Sequence, residues 1–138
     1  MTGCWWPPYQ AGSLDGEIHQ LGCIDIAVHG AWPHEAEGPV IVIELGNRCE
    51  HSIAIDLRRL EVFGDGTFGS ARLTAYDPDD EIAARRIDAR RTGEEWIEYH
   101  PSSRIDGIDA LEIDIGRVVD ASAGPHVVRI AVPRREAP

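Results

Sequence analysis

The sequence predicts an all-β fold, an antiparallel sandwich or barrel of about eight short strands. Three observations carry this. Ile and Val number 15 and 9 against 7 Leu, and β-branched side chains pack well on a pleated sheet while losing freedom in a helix. Apolar residues alternate with polar ones along segment after segment, the period of a half-buried strand. The 14 Gly and 9 Pro are scattered between those segments rather than clustered, which suits many strands joined by turns. No strand–helix–strand alternation interrupts the pattern. At 138 residues the chain is one domain's worth of material.

Residues 1–20 read as an arm or tether, 21–133 as the β domain and 134–138 as a tail. The arm holds Trp5, Trp6, Pro7, Pro8 and Tyr9, and its proline pair sets an extended or turn conformation. Ile24, Ile26 and Val28 alternate with Cys23, Asp25 and Ala27 as a first strand. Val40 to Leu45 is almost continuously apolar, as in a central strand covered on both faces, and Gly46-Asn47 reads as a turn or bulge. Ile53, Ile55 and Leu57 keep odd numbers, then Leu60 and Val62 take even ones. One inserted residue near Arg58-Arg59, a β-bulge, accounts for that slip.

Gly64 to Gly69 reads as a hairpin or loop connection. Leu73 and Ala75 follow on a strand that Asp77-Pro78 ends. Residues 81–91 read as a loop leading into a strand, with Thr92-Gly93 as a turn. Trp96 to Tyr99, Leu111 to Ile115 and Val128 to Val132 complete the count. Trp32 and Trp96 are expected to be packing residues, Trp96 in the core.

Charge excludes several functions. The chain has 24 acidic and 13 basic residues, a formal net charge of −11, so the basic stripe of a nucleic-acid binder is missing. Every basic residue is Arg, which removes the P-loop lysine and Schiff-base chemistry. No apolar run approaches the roughly 20 residues of a spanning helix.

Cys23 and Cys49 bracket the first two core strands. A hairpin with a register sum of 72 would set them opposite each other at disulfide distance, given a bulge at Gly46-Asn47 to bring both to one face. The alternative is two separate buried thiols. Cys4 is left over. Met1-Thr2-Gly3-Cys4 resembles the end of a bacterial lipoprotein signal, a family in which the Cys is lipidated, although the charged and apolar stretches of such a signal do not precede it here. The Gly46-Asn47-Arg48 segment, Ile53-Ala54-Ile55-Asp56-Leu57 and Tyr76-Asp77-Pro78 make residues 21–133 similar to small bacterial immunoglobulin-like sandwich proteins of the cell envelope. That resemblance implies an antiparallel immunoglobulin-like β-sandwich in an extracytoplasmic place, with a binding or assembly role.

Catalytic constellations are missing from the sequence: Ser70 lacks a nucleophile elbow, and no residue is singled out as catalytic. The expectation is therefore a non-enzyme. A zinc or copper site is conceivable from His29 or His34 with His51, but none of the strong ligand spacings occurs. Asp77, Asp79, Asp80 and Glu81 form the densest acidic group and are the candidates for calcium; the simpler reading is a turn whose Asp side chains hold the backbone. No cofactor is expected beyond those two metal options.

Exposed aromatics anchor interfaces, so Trp5, Trp6 and Tyr9 are candidates for partner binding, unless they fold back over a sheet edge. Arg85, Arg86, Arg90 and Arg91 form the one basic cluster where an acidic partner could dock. The chain is thus expected to be a non-catalytic envelope module that binds a protein or itself, reaching a membrane only through a lipid on Cys4. The alternatives are a structural subunit that docks through its arm, and a small metal- or carbohydrate-binding domain.

Overall fold

The computed structural model describes residues 8–67, 69–79, 81–82, 84–101 and 107–133. Among these there is no α-helix. Ten strands form: β1 (Ile18–Leu21), β2 (Ile24–Ala31), β3 (Val40–Asn47), β4 (Ile53–Asp56), β5 (Glu61–Gly66), β6 (Gly69–Ala75), β7 (Ala84–Ile87), β8 (Thr92–Pro101), β9 (Ala110–Asp114) and β10 (Val127–Ala131). The all-β, antiparallel expectation holds, with ten strands where about eight are legible in the sequence.

Eight strands make one sheet in the order β1-β2-β3-β8-β6-β5-β9-β10, and β4 with β7 makes a separate two-stranded ribbon. Every pairing is antiparallel. β8 serves two neighbours in turn. Thr92 to Glu98 pair with β3, and Tyr99 to Pro101 pair with β6. The sheet curls until β10 meets β2, so closely that a Cβ on Gly30 would stand 2.8 Å from the Ala131 carbonyl oxygen. Only glycine fits there.

The core lies inside that curl. Ile24, Ile26 and Val28 of β2, Ile41, Ile43 and Leu45 of β3, and Ile97 and Tyr99 of β8 meet Val62, Leu73, Leu111, Ile113 and Val128 from the far strands. Ile55 and Ile87 of the ribbon close the group. Each aliphatic side chain so buried contributes roughly 1.5–3 kcal/mol relative to exposure. Val40 and Val42 face the other way, onto Ala36, Ala31 and Trp32. The Val40–Leu45 run is therefore covered on both faces, as its composition predicts.

Four local expectations need correction. The arm does not extend to residue 20, because Ile18–Leu21 is a strand paired with Ile24–Ala27. Gly46-Asn47 is neither turn nor bulge but the end of β3, paired with Asp25 and Ile24. The phase slip after Leu57 is a 3-10 turn over Leu57–Arg59, not a bulge. Asp56 caps it, accepting from the Arg58 amide and from the Arg58 guanidinium at 2.9 and 3.0 Å. The guanidinium pairing holds the Asp56 carboxyl below its ordinary pKa. The turn moves the chain from the ribbon to the main sheet while keeping Leu57 and Leu60 buried. Finally, β8 begins at Thr92, so Thr92-Gly93 is not a turn; the turn falls at 88–91, with the Arg91 amide donating to the Asp88 carbonyl.

Candidate functional site

The outward face of β2, β3 and β8 is ordered in rows by the register. Asp25, Gly46 and Thr92 form the first row, Ala27, Glu44 and Glu94 the second, and His29, Val42 and Trp96 the third. The two ends of this face differ in kind.

The first row is closed. The Tyr9 ring lies on Gly46, where any Cβ would overlap it. Its hydroxyl donates to the Asp25 carboxylate at 2.7 Å, and Arg48 Nε donates to the same carboxylate at 2.9 Å. Asp25 has no exposed surface. Burial, then the hydrogen bond to Asp25, pushes the Tyr9 phenol up to about 12. The Tyr9 amide donates to the Arg90 carbonyl, and further along the Asp15 amide donates to Glu44. Residues 8–16 are therefore a strap across the first two rows, its end reaching His29 of the third. Of the two roles open to Tyr9, partner binding or folding back over the sheet, the structure shows the second: it is 5% exposed and packed on the sheet face. Trp5 and Trp6 lie outside the described residues, as does Cys4.

The end of β3 is tied down beside it. Asn47 is fully buried. Its amide nitrogen donates to the carbonyls of His51, Ile87 and Asp88 at 3.0 to 3.2 Å, and its side-chain oxygen accepts from the Cys49 amide at 2.8 Å. That last bond turns the chain at Arg48 and brings Cys49 back to Cys23. The two are joined as a disulfide with a Cα separation of 5.4 Å. The pairing expected from the sequence is present, but the register sum is 71 rather than 72, as in Ile24 opposite Asn47. An Asx-type turn does what a bulge was expected to do. A disulfide is compatible with an oxidising compartment. No helix among the described residues is long and apolar enough to cross a membrane.

The other end is open. Trp96, expected in the core, is 60% exposed. Odd-numbered residues of β8 face inward, so Ile97 and Tyr99 take the core positions and Trp96 points out. Its indole nitrogen donates to Glu94 at 2.6 Å. Tyr76, 52% exposed, stacks on His100 with ring centroids 4.5 Å apart, and His100 contacts Glu98. Beside these aromatics runs a groove of about 650 Å³ along β8, lined by Leu57, Ile82, Ile97, Asp79, Arg85 and Arg86 among others.

The groove exists because β6 leaves β8. The Tyr76 amide still donates to the Glu98 carbonyl at 2.8 Å, but Asp77-Pro78 then carries the chain away. Inward-facing residues of β8 bond to β3, as the Tyr99 amide does to the Pro39 carbonyl. Main-chain groups of Glu94, Trp96 and Glu98 must therefore point to the opposite side. Arg85 Nη1 covers the Glu94 carbonyl at 2.9 Å. Among the described residues, nothing pairs with the main chain of Trp96.

The remaining sequence candidates are dispersed. Arg85 and Arg86 point to opposite faces of the β4–β7 ribbon, which pairs Ile55 with Arg85 and Ala54 with Arg86. Arg85 contacts Glu95, and Arg90 pairs with Glu50 at 2.8 Å. With Arg91, they do not combine into one cationic patch. The Asp77 carboxylate, a calcium candidate, accepts the Glu81 and Ile82 amides at 2.8 and 3.0 Å. It therefore shapes the turn; Asp79 lies in the groove wall and Asp80 falls outside the described residues. His29 lies on β2 beneath Gly16, with its Nε2 buried and without a hydrogen-bond partner among the described residues; His34 is in the 32–39 loop, and His51 is in the turn held by Asn47. Among the described residues no three His, Cys, Asp or Glu side chains gather as metal ligands.

Tyr76, Asn47 and the Asp25–Arg48 pair are not singled out by any pattern in the sequence. The nearest thing to a signal is the Tyr76-Asp77-Pro78 run, since a strand ending in Asp-Pro frees its neighbour's edge.

No family model matches the chain, and no curated protein matches it. Among solved structures, the crystal structure of the yjhA protein from Bacillus subtilis is similar, with a TM-score of 0.51 at 11% identity, over 86% of this chain and 97% of that one. The likeness is one of fold.

Proposed function

We propose that this protein is a non-catalytic, extracytoplasmic binding module built as an immunoglobulin-like sandwich, with the groove along β8 as its binding surface. The observation that carries the reading is the pairing of two exposed aromatics, Trp96 and Tyr76, with a groove beside the Trp96 main chain, which has no partner among the described residues. Large exposed aromatics at a concave surface are what interfaces use as anchors. The sandwich reading is supported by β8, which divides its pairing between β3 and β6, and by one core fed from both halves. The extracytoplasmic reading is supported by the disulfide. A lipid on Cys4 would tether the module to a membrane; its support is the Met1-Thr2-Gly3-Cys4 resemblance.

The test is selection from a displayed library of random peptides on the disulfide-bonded protein, against the double variant Trp96→Ala, Tyr76→Ala. Both side chains are largely exposed, so the variant keeps the fold. The reading expects peptides enriched on the wild type and lost on the variant. Equal enrichment on both, or none on either, overturns it.

A further inference from the structure

We propose that the groove takes an extended basic protein segment, which adds to β8 as a strand. The inference rests on the binding-module reading and specifies its partner.

The main chain provides the first argument. Between the Arg85 guanidinium on the Glu94 carbonyl and the Tyr76 amide on the Glu98 carbonyl, the Trp96 amide and carbonyl face the groove without a partner among the described residues. An unpaired donor and acceptor on a strand edge are a template for another strand. The gap is bounded at both ends, so it accepts a short segment rather than an open-ended stack.

The walls provide the second. Side chains of a strand alternate between two faces. A strand laid against Trp96 would send one set inward, towards Leu57, Ile82 and Ile97, and the other outward, beside Trp96 and Tyr76. The inward set is therefore apolar. The outward set meets aromatic faces, which favour a guanidinium or ammonium.

Charge provides the third. Asp77, Asp79, Glu81, Glu95 and Glu98 line the groove against Arg85 and Arg86, and Arg85 is already held by Glu95. A basic segment is complementary to this wall. A second copy of the chain is not, since each copy has a net charge of −11.

The probe is the synthetic peptide acetyl-Arg-Val-Arg-Val-Arg-Val-Arg-amide, tested by NMR on isotopically labelled wild-type protein. It is compared with its Glu-for-Arg counterpart and with two N-methylated forms, one methylated on every Val amide and one on every internal Arg amide. Strand addition predicts slowed hydrogen exchange at the Trp96 amide and binding weakened about fivefold by one methylation pattern only, since one edge of the peptide carries the N–H that meets the Trp96 carbonyl and that bond is worth about 1 kcal/mol. The Glu peptide should not bind.

Equal tolerance of both methylation patterns, an unprotected Trp96 amide, or no binding overturns the proposal. If library peptides still depend on Trp96 and Tyr76 yet ignore N-methylation, strand addition fails and the binding-module reading stands. If the library yields none, that reading fails first.

Discussion

Tyr9 and Trp96 sit on the same face of the same sheet, two rows apart, and have opposite fates. Tyr9 is sealed by Gly46 beneath it, Asp25 at its hydroxyl and Arg90 at its amide. Trp96 has Val42 beside it in the register and solvent over it. The difference is set by what crosses the sheet. Residues 8–16 strap the first rows, whereas no described segment lies over the Trp96 ring; the departure of the chain at Asp77-Pro78 is a separate matter, which leaves the edge of β8 open beside it. An aromatic residue on an outward face therefore reports little until its covering segment is known. The closed end is where this molecule stores stability, and the open end is where it presents surface.

The largest effect should come from breaking the closed end. Arg48→Ala leaves the fully buried Asp25 carboxylate with the Tyr9 hydroxyl as its remaining side-chain partner. Denaturant unfolding is expected to show a loss of about 3 kcal/mol, and a loss under about 1 kcal/mol would mean that water reaches Asp25 and the end is not closed.

A smaller, pH-dependent effect follows from Tyr9. Its folded pKa is raised from the ordinary 10.0 to about 12. The unfolded chain then releases this proton first, and stability from the neutral phenol is present below pH 10 and lost as pH rises towards 12. Burial also pushes the Tyr99 phenol up, in the same direction. The unfolding free energy measured from pH 9 to 12 should decline steeply in the wild type and less steeply in Tyr9→Phe. Identical slopes would detach Tyr9 from the seal. At the open end, Trp96→Ala should change stability by no more than about 0.5 kcal/mol, as for surface sites generally. A larger loss would make Trp96 a packing residue after all.

Much of the fold is legible in the sequence because periodicity reports burial directly. The alternation at Ile24, Ile26 and Val28 and the doubly apolar Val40–Leu45 run predict the strands found. Trp96 is a core residue by its size but not by its position, because its parity is fixed by Ile97 and Tyr99, one and three residues further on. The slip after Leu57 was visible, but a bulge and a 3-10 turn shift the numbering alike, and only the change of sheet distinguishes them. Strand edges were illegible because which strands are neighbours is a property of topology. Nothing local says that β8 lies between β3 and β6.

That same topology bears on how the protein comes to be made. Val40–Leu45 pairs on one side with β2, a nearby hairpin partner, and on the other with β8, about fifty residues downstream. Synthesis at roughly 5–20 residues per second leaves the run half-paired for several seconds, and a β-rich apolar segment in that state is an aggregation hazard. The Cys23–Cys49 crosslink joins only the local hairpin, so it holds β2 against β3 with no contribution from β8. In the oxidised chain, a β8 that lets go therefore exposes one edge of this apolar run, and the other edge stays tied to β2.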